Sequence, residues 1–223
     1  MPTLYIANKN YSSWSLRPWV LLRELGIPFE EKLMPFHGSA FTGFSPSGKV
    51  PCLVDGAITV WDSLAITEYL AETHPQVWPT DEAARAFARC AAAEMHSGFM
   101  ALRTQCGMNC GIRVKLQRVD KALQGDLARL NALWNDGLQR FGGPFLAGKA
   151  FSAADAFYAP VAFRIQTYAP PLDAAANAYA QRLLALPSMR EWYGDARKET
   201  WRHAAHENEV TEWGAITEDL RAA

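Results

Sequence analysis

The chain has 223 residues, of which 49% are hydrophobic, and its 22 Lys and Arg against 23 Asp and Glu give a formal net charge of -1. This composition excludes a disordered chain, and the lack of a basic surplus argues against a general nucleic-acid partner. Since the sequence has neither an apolar run of 18 residues nor a secretory leader, we expect no membrane partner and a cytoplasmic location.

The first elements along the chain are a strand and a helix. Residues 3–7 (TLYIA) predict a buried strand, and the run after it has apolar residues at helical spacing and stops at Gly26. Proline is tolerated in the first turn of a helix, so Pro18 places the start of this helix near residues 13–15.

A second strand and a hairpin follow. Residues 29–34 predict a strand, and the run PCLVDGAITVW, after a loop-rich stretch, predicts a hairpin that turns at Asp55-Gly56. A helix then opens at Asp62-Ser63 and ends near His74. The first part of the chain therefore predicts a small mixed sheet with helices packed on it.

Beyond residue 78 the sequence becomes helical. The predicted helices cover residues 81–105, 117–141, 153–167, 174–186 and 188–198. We therefore predict an α/β domain at residues 1–78, a linker with the start of the first long helix at 79–88, and an all-helical domain at 89–223.

Several patterns in the sequence predict structure rather than chemistry. Ser152 and Asp155 have the spacing of a capping box. His203 and His206 are not spaced as zinc ligands, and the charged residues around them predict a solvated helix face. No cysteine belongs to a C-x-x-C pair, so we expect buried structural thiols without disulfide bonds, and no metal site.

Three short segments of the first domain predict a binding site for a peptide-like anion. A cis bond between Val50 and Pro51 would leave the backbone of Val50 free to pair with an extended ligand. The Ser63 hydroxyl, at a helix N-terminus, would donate a hydrogen bond to one carboxylate of that ligand. A thiol at its other end would reach the segment 12–15, where a helix N-terminus and a hydroxyl lower its pKa.

The alternative interpretation of the serines is that they only cap the helix. Capping needs one hydroxyl, which we assign to Ser15, so Ser12 is left as the first candidate for the thiol and Ser13 as the second. Arg17, on the same helix, is either part of the site or a surface residue whose stem covers apolar neighbours.

Two stretches of the sequence, KVPCLVDGAITVWDSLAITEYLAE and FLAGKAFSAADAFYAPV, resemble the cytosolic glutathione transferases. The resemblance covers essentially the whole chain. It implies a thioredoxin-like α/β N-terminal domain, an all-α C-terminal helical domain and a homodimer. Within the family, YSSWSLR is similar to the Ser-Ser-Cys-Ser-x-Arg motif of the zeta class, which includes maleylacetoacetate isomerases, with Trp14 in place of the motif cysteine.

The resemblance also implies roles for individual residues. Glutathione would be the co-substrate, a small electrophile the second substrate, and detoxification the purpose. The implied catalytic residues are Ser12 and Ser13, the glutathione-binding residues are Trp14, Arg17, Lys49, Val50, Asp62 and Ser63, and the substrate residues are Arg103 and Arg164. His37 is an alternative to Lys49 for the glycyl carboxylate, and Asn109 and Tyr168 are further polar candidates beside the second substrate.

Three functions remain open besides simple transfer. The motif is similar to that of isomerases of the maleylacetoacetate type, which use glutathione without consuming it. A thiol reductase would need a reactive cysteine at the first helix, where this chain has Ser12, Ser13 and Trp14. A non-catalytic scaffold would be favoured by loss of the serines or of Asp62-Ser63, and all of them are present.

Overall fold

The computed structural model describes residues 1–36 and 41–222. Its first part is a four-stranded mixed sheet with strand order β2-β1-β3-β4, in which β1 and β2 are parallel and the other neighbours antiparallel. The strands are β1 (Thr3–Ala7), β2 (Glu30–Met34), β3 (Cys52–Asp55) and β4 (Ile58–Trp61). All four strands were predicted.

Two helices accompany this sheet, α1 (Ser13–Glu24) and α2 (Ser63–Ala71), and a short 3-10 turn (Pro75–Val77) follows them. α1 ends as predicted, because Gly26 takes the left-handed conformation (φ +66°) in which a side chain would be strained. Its start is also as predicted, but Pro18 lies in the second turn, where it removes the hydrogen bond to the carbonyl of Trp14.

The hairpin between β3 and β4 turns one residue later than predicted. Asp55 pairs with Ile58, so the two-residue loop is Gly56-Ala57. Gly56 has φ +59°, which is the conformation that a tight hairpin turn requires at its first position.

The second part of the chain is helical. Its helices are α3 (Glu82–Ser97), α4 (Met100–Gln105), α5 (Lys121–Arg140), α6 (Ala153–Tyr168), α7 (Ala174–Leu184), α8 (Pro187–Lys198) and α9 (Ala204–Trp213). α6 is buried over almost its whole length and packs against α1, α3 and α7, so it joins the helical part to the sheet part. The predicted helix 81–105 is divided in two, because Phe99 has φ +58° and breaks the helical path.

A two-stranded antiparallel sheet in the helical part was not predicted. It consists of β5 (Ile112–Leu116) and β6 (Gly214–Asp219), which pair with a register shift between Arg113 and Val114. β6 is exposed at every residue except Gly214, so its sequence has no alternation of apolar and polar residues from which a strand could be predicted.

The capping box at the start of α6 is confirmed. The Asp155 carboxylate accepts the backbone N–H of Ser152 at 2.9 Å and the Ser152 hydroxyl at 3.1 Å. It also accepts the N–H of Leu146 at 3.0 Å and the hydroxyl of Tyr179 at 2.7 Å. Asp155 is fully buried, so it links the helix start to a loop and to α7 as well as capping α6.

The cysteines carry free thiols. Cys52, Cys106 and Cys110 are buried, as expected, whereas Cys90 is exposed on α3. Among the described residues, no helix combines the length and the apolar character that crossing a bilayer requires.

Candidate functional site

The loop between β1 and α1 is fixed by contacts with the end of α8. The Glu199 carboxylate accepts the backbone N–H of Lys9 at 2.7 Å and that of Asn10 at 3.3 Å. The Lys9 ammonium forms ion pairs with Glu31 at 2.8 Å and with Asp195 at 2.9 Å. Since the serines follow this loop directly, their position depends on the helical part of the chain as well as on the sheet.

The serines at the start of α1 differ in their hydrogen bonds. The Ser12 hydroxyl donates to the Ser15 hydroxyl at 2.7 Å, and the Ser15 hydroxyl accepts the N–H of Ala7 at 3.2 Å. Because Ser15 lies inside the first turn, its side chain points back to β1 instead of capping. The prediction that Ser15 caps α1 is therefore wrong.

Ser13 is the serine whose hydroxyl is available. It is the first residue of α1, is 7% exposed and lines a cavity between the two parts of the molecule. Within residues 1–36 and 41–222 its hydroxyl makes no hydrogen bond. A hydroxyl of this kind at a helix N-terminus can donate to an anion that also interacts with the free N–H groups of the helix.

The segment around Val50 also presents unused hydrogen-bonding groups. The Val50-Pro51 peptide bond is cis, as predicted. The backbone N–H and C=O of Val50 have no partner in the part of the chain that the structure describes. Val50 and Lys49 line the same cavity as Ser13, so an extended ligand can pair with Val50 beside the start of α1.

The start of α2 is the third element of the site. The Asp62 side chain accepts the N–H of Leu64 at 2.8 Å and so caps the helix. Ser63 is 1% exposed, and its hydroxyl has no hydrogen-bond partner among the described residues. A buried hydroxyl without a partner is costly, and a ligand carboxylate at this helix N-terminus would satisfy it.

Two neighbouring cavities connect these elements. The larger, of about 480 Å³, is lined by Ser12 and Ser13 together with residues of the helical part. The smaller, of about 410 Å³, is lined by Asp62 and Ser63. Trp14, Lys49 and Val50 line both cavities, so they form the boundary between them.

Trp14 and Arg17 are stacked at this boundary. The Arg17 guanidinium lies 4.1 Å from the centre of the Trp14 ring and 4.9 Å from that of Phe157. Arg17 is buried, so it is not the surface residue of the alternative interpretation, and it lines neither cavity. Its guanidinium makes no hydrogen bond in the described chain, and burial, with Arg103 and Arg164 nearby, lowers its pKa.

Arg103 and Arg164, the predicted substrate residues, both line the larger cavity. Arg103 donates to the carbonyls at the end of α3, including that of Gly98 at 2.8 Å, and lies 4.8 Å from the centre of the Trp14 ring. Burial and the neighbouring Arg164 lower the pKa of Arg103 to about 10. Arg164 is buried and donates to the carbonyl of Cys106, and its Nε has no partner among the described residues. Their positive charges favour an anionic group in this cavity.

Three other candidates have different positions. Asn109 and Tyr168 line neither cavity, since Asn109 donates to Glu207 and the Tyr168 hydroxyl donates to the carbonyl of Gly107. His37 lies outside the described residues.

The sequence did not reveal the wall of the larger cavity opposite the serines. Tyr11 lines the cavity, and so do His206 and Glu209 of α9. The prediction that this part of α9 is a solvated face is wrong, because the His206 ring stacks on Tyr11 with 5.0 Å between ring centres. The pairing of residues 195 positions apart leaves no local signal in the sequence.

Comparison with known proteins gives the family. A family model described as the N-terminal domain of glutathione S-transferase matches residues 11–73, and one described as its C-terminal domain matches residues 91–195. The zeta-class glutathione S-transferase of Euphorbia esula is 31% identical over 173 residues, which cover 71% of this chain and 74% of that protein. The chain belongs to the glutathione S-transferase family. Members of this family are transferases, so the predicted enzyme class is confirmed.

Other relatives of this glutathione S-transferase family member agree with the sequence analysis. The maleylacetoacetate isomerase of Rattus norvegicus is 29% identical over 171 residues, which cover 71% of this chain and 76% of that protein. A crystal structure of a Burkholderia glutathione transferase homologue with bound glutathione aligns with a TM-score of 0.67 and 26% identity, over 88% of this chain and 98% of that one. The predicted fold class and the resemblance to the zeta class are confirmed.

Proposed function

We propose that the chain is a glutathione transferase that activates the thiol of bound glutathione with a serine hydroxyl for attack on a small electrophile. The observation that carries this proposal is the alignment, along two neighbouring cavities, of three hydrogen-bonding groups that have no partner among the described residues. These are the Ser13 hydroxyl, the backbone of Val50 and the Ser63 hydroxyl. Their order along the site fits the thiol, the cysteinyl backbone and the γ-glutamyl carboxylate of glutathione.

The smaller cavity would hold the γ-glutamyl end. Its carboxylate would accept from the buried Ser63 hydroxyl and the N-terminal N–H groups of α2, and Asp62 would accept its ammonium group. The backbone of Val50 would pair with the cysteinyl residue, and Lys49 would meet the glycyl carboxylate. Trp14, at the boundary of both cavities, would contact the cysteinyl side chain.

The thiol would then lie at the start of α1. The helix N-terminus, the Ser13 hydroxyl and the positive charge of Arg17 behind Trp14 all favour thiolate over thiol. We assign the hydrogen bond to Ser13, because the single hydroxyl proton of Ser12 is already donated to Ser15. The resemblance implies Ser12 instead, so the two serines need separate variants.

The larger cavity would hold the electrophile. Thiolate attack forms a sulfur–carbon bond while a π bond of the electrophile breaks, and the electron pair of that bond carries negative charge onto the electrophile. The guanidinium groups of Arg103 and Arg164 would stabilise this charge until the electron pair takes up a proton or a halide leaves with its bonding pair. Isomerisation of the maleylacetoacetate type is the second candidate function. It is supported by the relatives of that name and by the positive charge of this cavity.

Homodimer formation, cytoplasmic location and a role in detoxification also belong to this proposal. All three are what membership of the family suggests for this chain.

Isothermal titration calorimetry with glutathione tests the binding part of the proposal. We expect the wild-type chain to bind glutathione and Ser63→Ala to bind at least about tenfold more weakly, because a charge-assisted hydrogen bond is lost. Ser97→Ala is the matched control, because Ser97 is exposed on α3 and lines neither cavity. Absence of binding by the wild-type chain would contradict both the transferase and the isomerase proposals.

Turnover then separates the two candidate functions. A panel of maleylacetoacetate, a chlorodinitrobenzene and an alkyl hydroperoxide distinguishes isomerisation, transfer and peroxide reduction. We expect conjugate formation with consumption of glutathione. Isomerisation of maleylacetoacetate without consumption of glutathione would favour the second candidate. Binding without turnover of any compound would favour a scaffold.

A further inference from the structure

The larger cavity has a wall made by the C-terminal segment of the chain. His206 and Glu209 of α9 line this wall, and the serines line the facing side. The His206 ring lies almost parallel to the Tyr11 ring, with 17° between the planes, and 5.2 Å from the centre of the Phe36 ring. The imidazole therefore lies inside the site, between aromatic side chains of the sheet part.

The orientation of this imidazole is fixed by a second histidine. Nδ1 of His203 and Nδ1 of His206 are 2.7 Å apart, so one of them donates a proton to the other. The contact with His203 is the hydrogen bond of the His206 ring among the described residues, so Nε2 has no partner there, and the ring lines the cavity. When Nδ1 of His206 accepts, a neutral imidazole carries its proton on Nε2 and presents a donor there.

The surroundings of His206 favour this neutral form. Burial lowers its pKa and His203 adds to the effect, whereas the carboxylates of Glu209 and Glu207 oppose it. The Tyr11 hydroxyl, on the loop packed against α9, donates to Glu207 and is not directed at His206.

A cluster of polar side chains holds α9 in place. The Tyr11 hydroxyl donates to Glu207 at 2.6 Å, and Arg221 donates to both oxygens of the same carboxylate, at 2.5 and 3.0 Å. Asn109 donates to Glu207 at 3.1 Å. The Arg221 side chain is 3% exposed and that of Glu207 is 25% exposed, so this Tyr11–Glu207–Arg221 cluster is buried around the Arg221 guanidinium.

We propose that His206 contacts the second substrate, with its Nε2–H donating a hydrogen bond to the electrophile, and that the Tyr11–Glu207–Arg221 cluster positions it. This inference rests on the proposed transfer reaction. Negative charge grows on the electrophile as the thiolate attacks, so the hydrogen bond strengthens in the transition state. His206 makes and breaks no covalent bond in this step.

The decisive experiment compares His206→Phe with His206→Gln. Phe keeps a flat ring against Tyr11 but has no N–H donor, whereas Gln keeps a donor of similar reach. With a chlorodinitrobenzene and an enone as electrophiles, we expect kcat of His206→Phe to fall about tenfold or more and kcat of His206→Gln to stay within about threefold of the wild type. The thermal melting temperature reports whether each variant folds.

Glutathione binding in the same variants separates this inference from the proposed function. We expect the glutathione Kd and the pKa of the bound thiol to be unchanged in His206→Phe. Unchanged kcat with both electrophiles would overturn the inference. A loss of glutathione affinity equal to the loss of kcat would also overturn it, because His206 would then act on the thiol side. If the wild-type chain itself does not bind glutathione, the proposed function fails first.

The proposal that the Tyr11–Glu207–Arg221 cluster positions His206 is tested by a separate variant and its control. Glu207→Gln removes the charge that pairs with Arg221, so we expect KM for the electrophile to rise several-fold with little change in the glutathione Kd. Glu212→Gln, which is exposed on α9, removes the same charge without touching the cluster and should leave KM unchanged. Equal KM values in the two variants would contradict a positioning role for the cluster.

Discussion

The two sides of the larger cavity are built in different ways. The side of the cavity that we propose for glutathione, called the glutathione side, consists of three short segments. Each segment is shaped by a local structural feature: the first turn of α1, the cis Val50-Pro51 bond or the Asp62 cap of α2. The opposite wall consists of residues far apart in the sequence, since Tyr11 and Glu207 are separated by 196 positions. Local structural features leave a pattern in the sequence, whereas long-range contacts do not.

The two sides of the cavity also offer different chemical groups to a ligand. The glutathione side offers hydroxyl and backbone groups that have no hydrogen-bond partner in the part of the chain that the structure describes, and such groups fit a ligand of fixed structure. The opposite wall uses its polar groups on one another, and it leaves aromatic surface and the imidazole of His206 to the cavity. We infer that the first side is specialised for one ligand and that the second determines which electrophile is accepted.

The largest effect that we expect is a loss of stability on substitution of Asp155, whose carboxylate makes both local and long-range hydrogen bonds. Asp155→Ala leaves the N–H groups of Leu146 and Ser152 and the Tyr179 hydroxyl without their acceptor. We expect a loss of about 4 kcal/mol in the free energy of unfolding, since each buried donor costs roughly 1–3 kcal/mol when unsatisfied. Chemical denaturation measures it, and a loss of about 1 kcal/mol would mean that the local capping box alone matters.

The second effect concerns the two serines of the glutathione side. Ser13→Ala should lower kcat about a hundredfold, the cost of removing one donor to a developing or stabilised anion. Ser12→Ala should lower it less, because Ser12 acts through its hydrogen bond to Ser15. Steady-state rates at saturating glutathione provide the comparison. A larger loss of kcat in Ser12→Ala than in Ser13→Ala would mean that Ser12 donates the hydrogen bond to the thiolate.

Most of the sheet part could be predicted from the sequence because its signals are local. Gly26 ends α1, and Asp62 caps α2, each within a few residues of the element it controls. The assignment of Ser15 as a cap was wrong because the helix begins at Ser13, and a shift of two residues changes what a hydroxyl faces. Helix boundaries depend on hydrogen bonds that composition does not fix.

The helical part could be predicted only as a set of helices. The pairing of β5 with β6 joins segments about a hundred residues apart, and the exposed β6 has no hydrophobic alternation. The interpretation of His206 as a solvated residue failed because a charged segment can still pack one face against a cavity. Contacts of this kind require the assembled fold.

The third prediction compares substitutions at two glycines, one packed against the Tyr11–Glu207–Arg221 cluster and one away from it. A Cβ at Gly111 would collide with the Arg221 side chain and lie 3.0 Å from Asn10 Oδ1, whereas one at Gly194 would meet no atom of the described residues within 4 Å. Gly111→Ala should therefore destabilise the protein by about 1–2 kcal/mol. Gly194→Ala, inside α8, should stabilise it by about 0.5–1 kcal/mol. The melting temperature shows whether each variant is less or more stable than the wild type. Equal changes in stability in the two variants would contradict the packing described for the cluster.

The smallest prediction concerns the pH dependence of Glu207. Burial raises its pKa, but the hydrogen bonds from Arg221 and Tyr11 lower it more, so the net pKa is below 4.5. A lowered pKa contributes stability that is complete above the unfolded pKa and is lost as the pH falls through the folded pKa. We expect Glu207→Gln to cost less than about 1 kcal/mol near pH 7 and less than that near pH 3, because the contribution is lost as the pH falls through the folded pKa. Denaturation at both pH values measures this difference, and a pH-independent cost would contradict it.

The most direct test of the central claim is the titration of the thiol of bound glutathione by its thiolate absorbance. We expect the apparent pKa of the bound thiol in the wild type to lie at least about one unit below that of free glutathione. Ser13→Ala should move it most of the way back, while Ser97→Ala leaves it unchanged. A bound thiol that titrates like free glutathione, or a shift that survives in both Ser12→Ala and Ser13→Ala, would contradict the claim that a serine at the start of α1 activates glutathione.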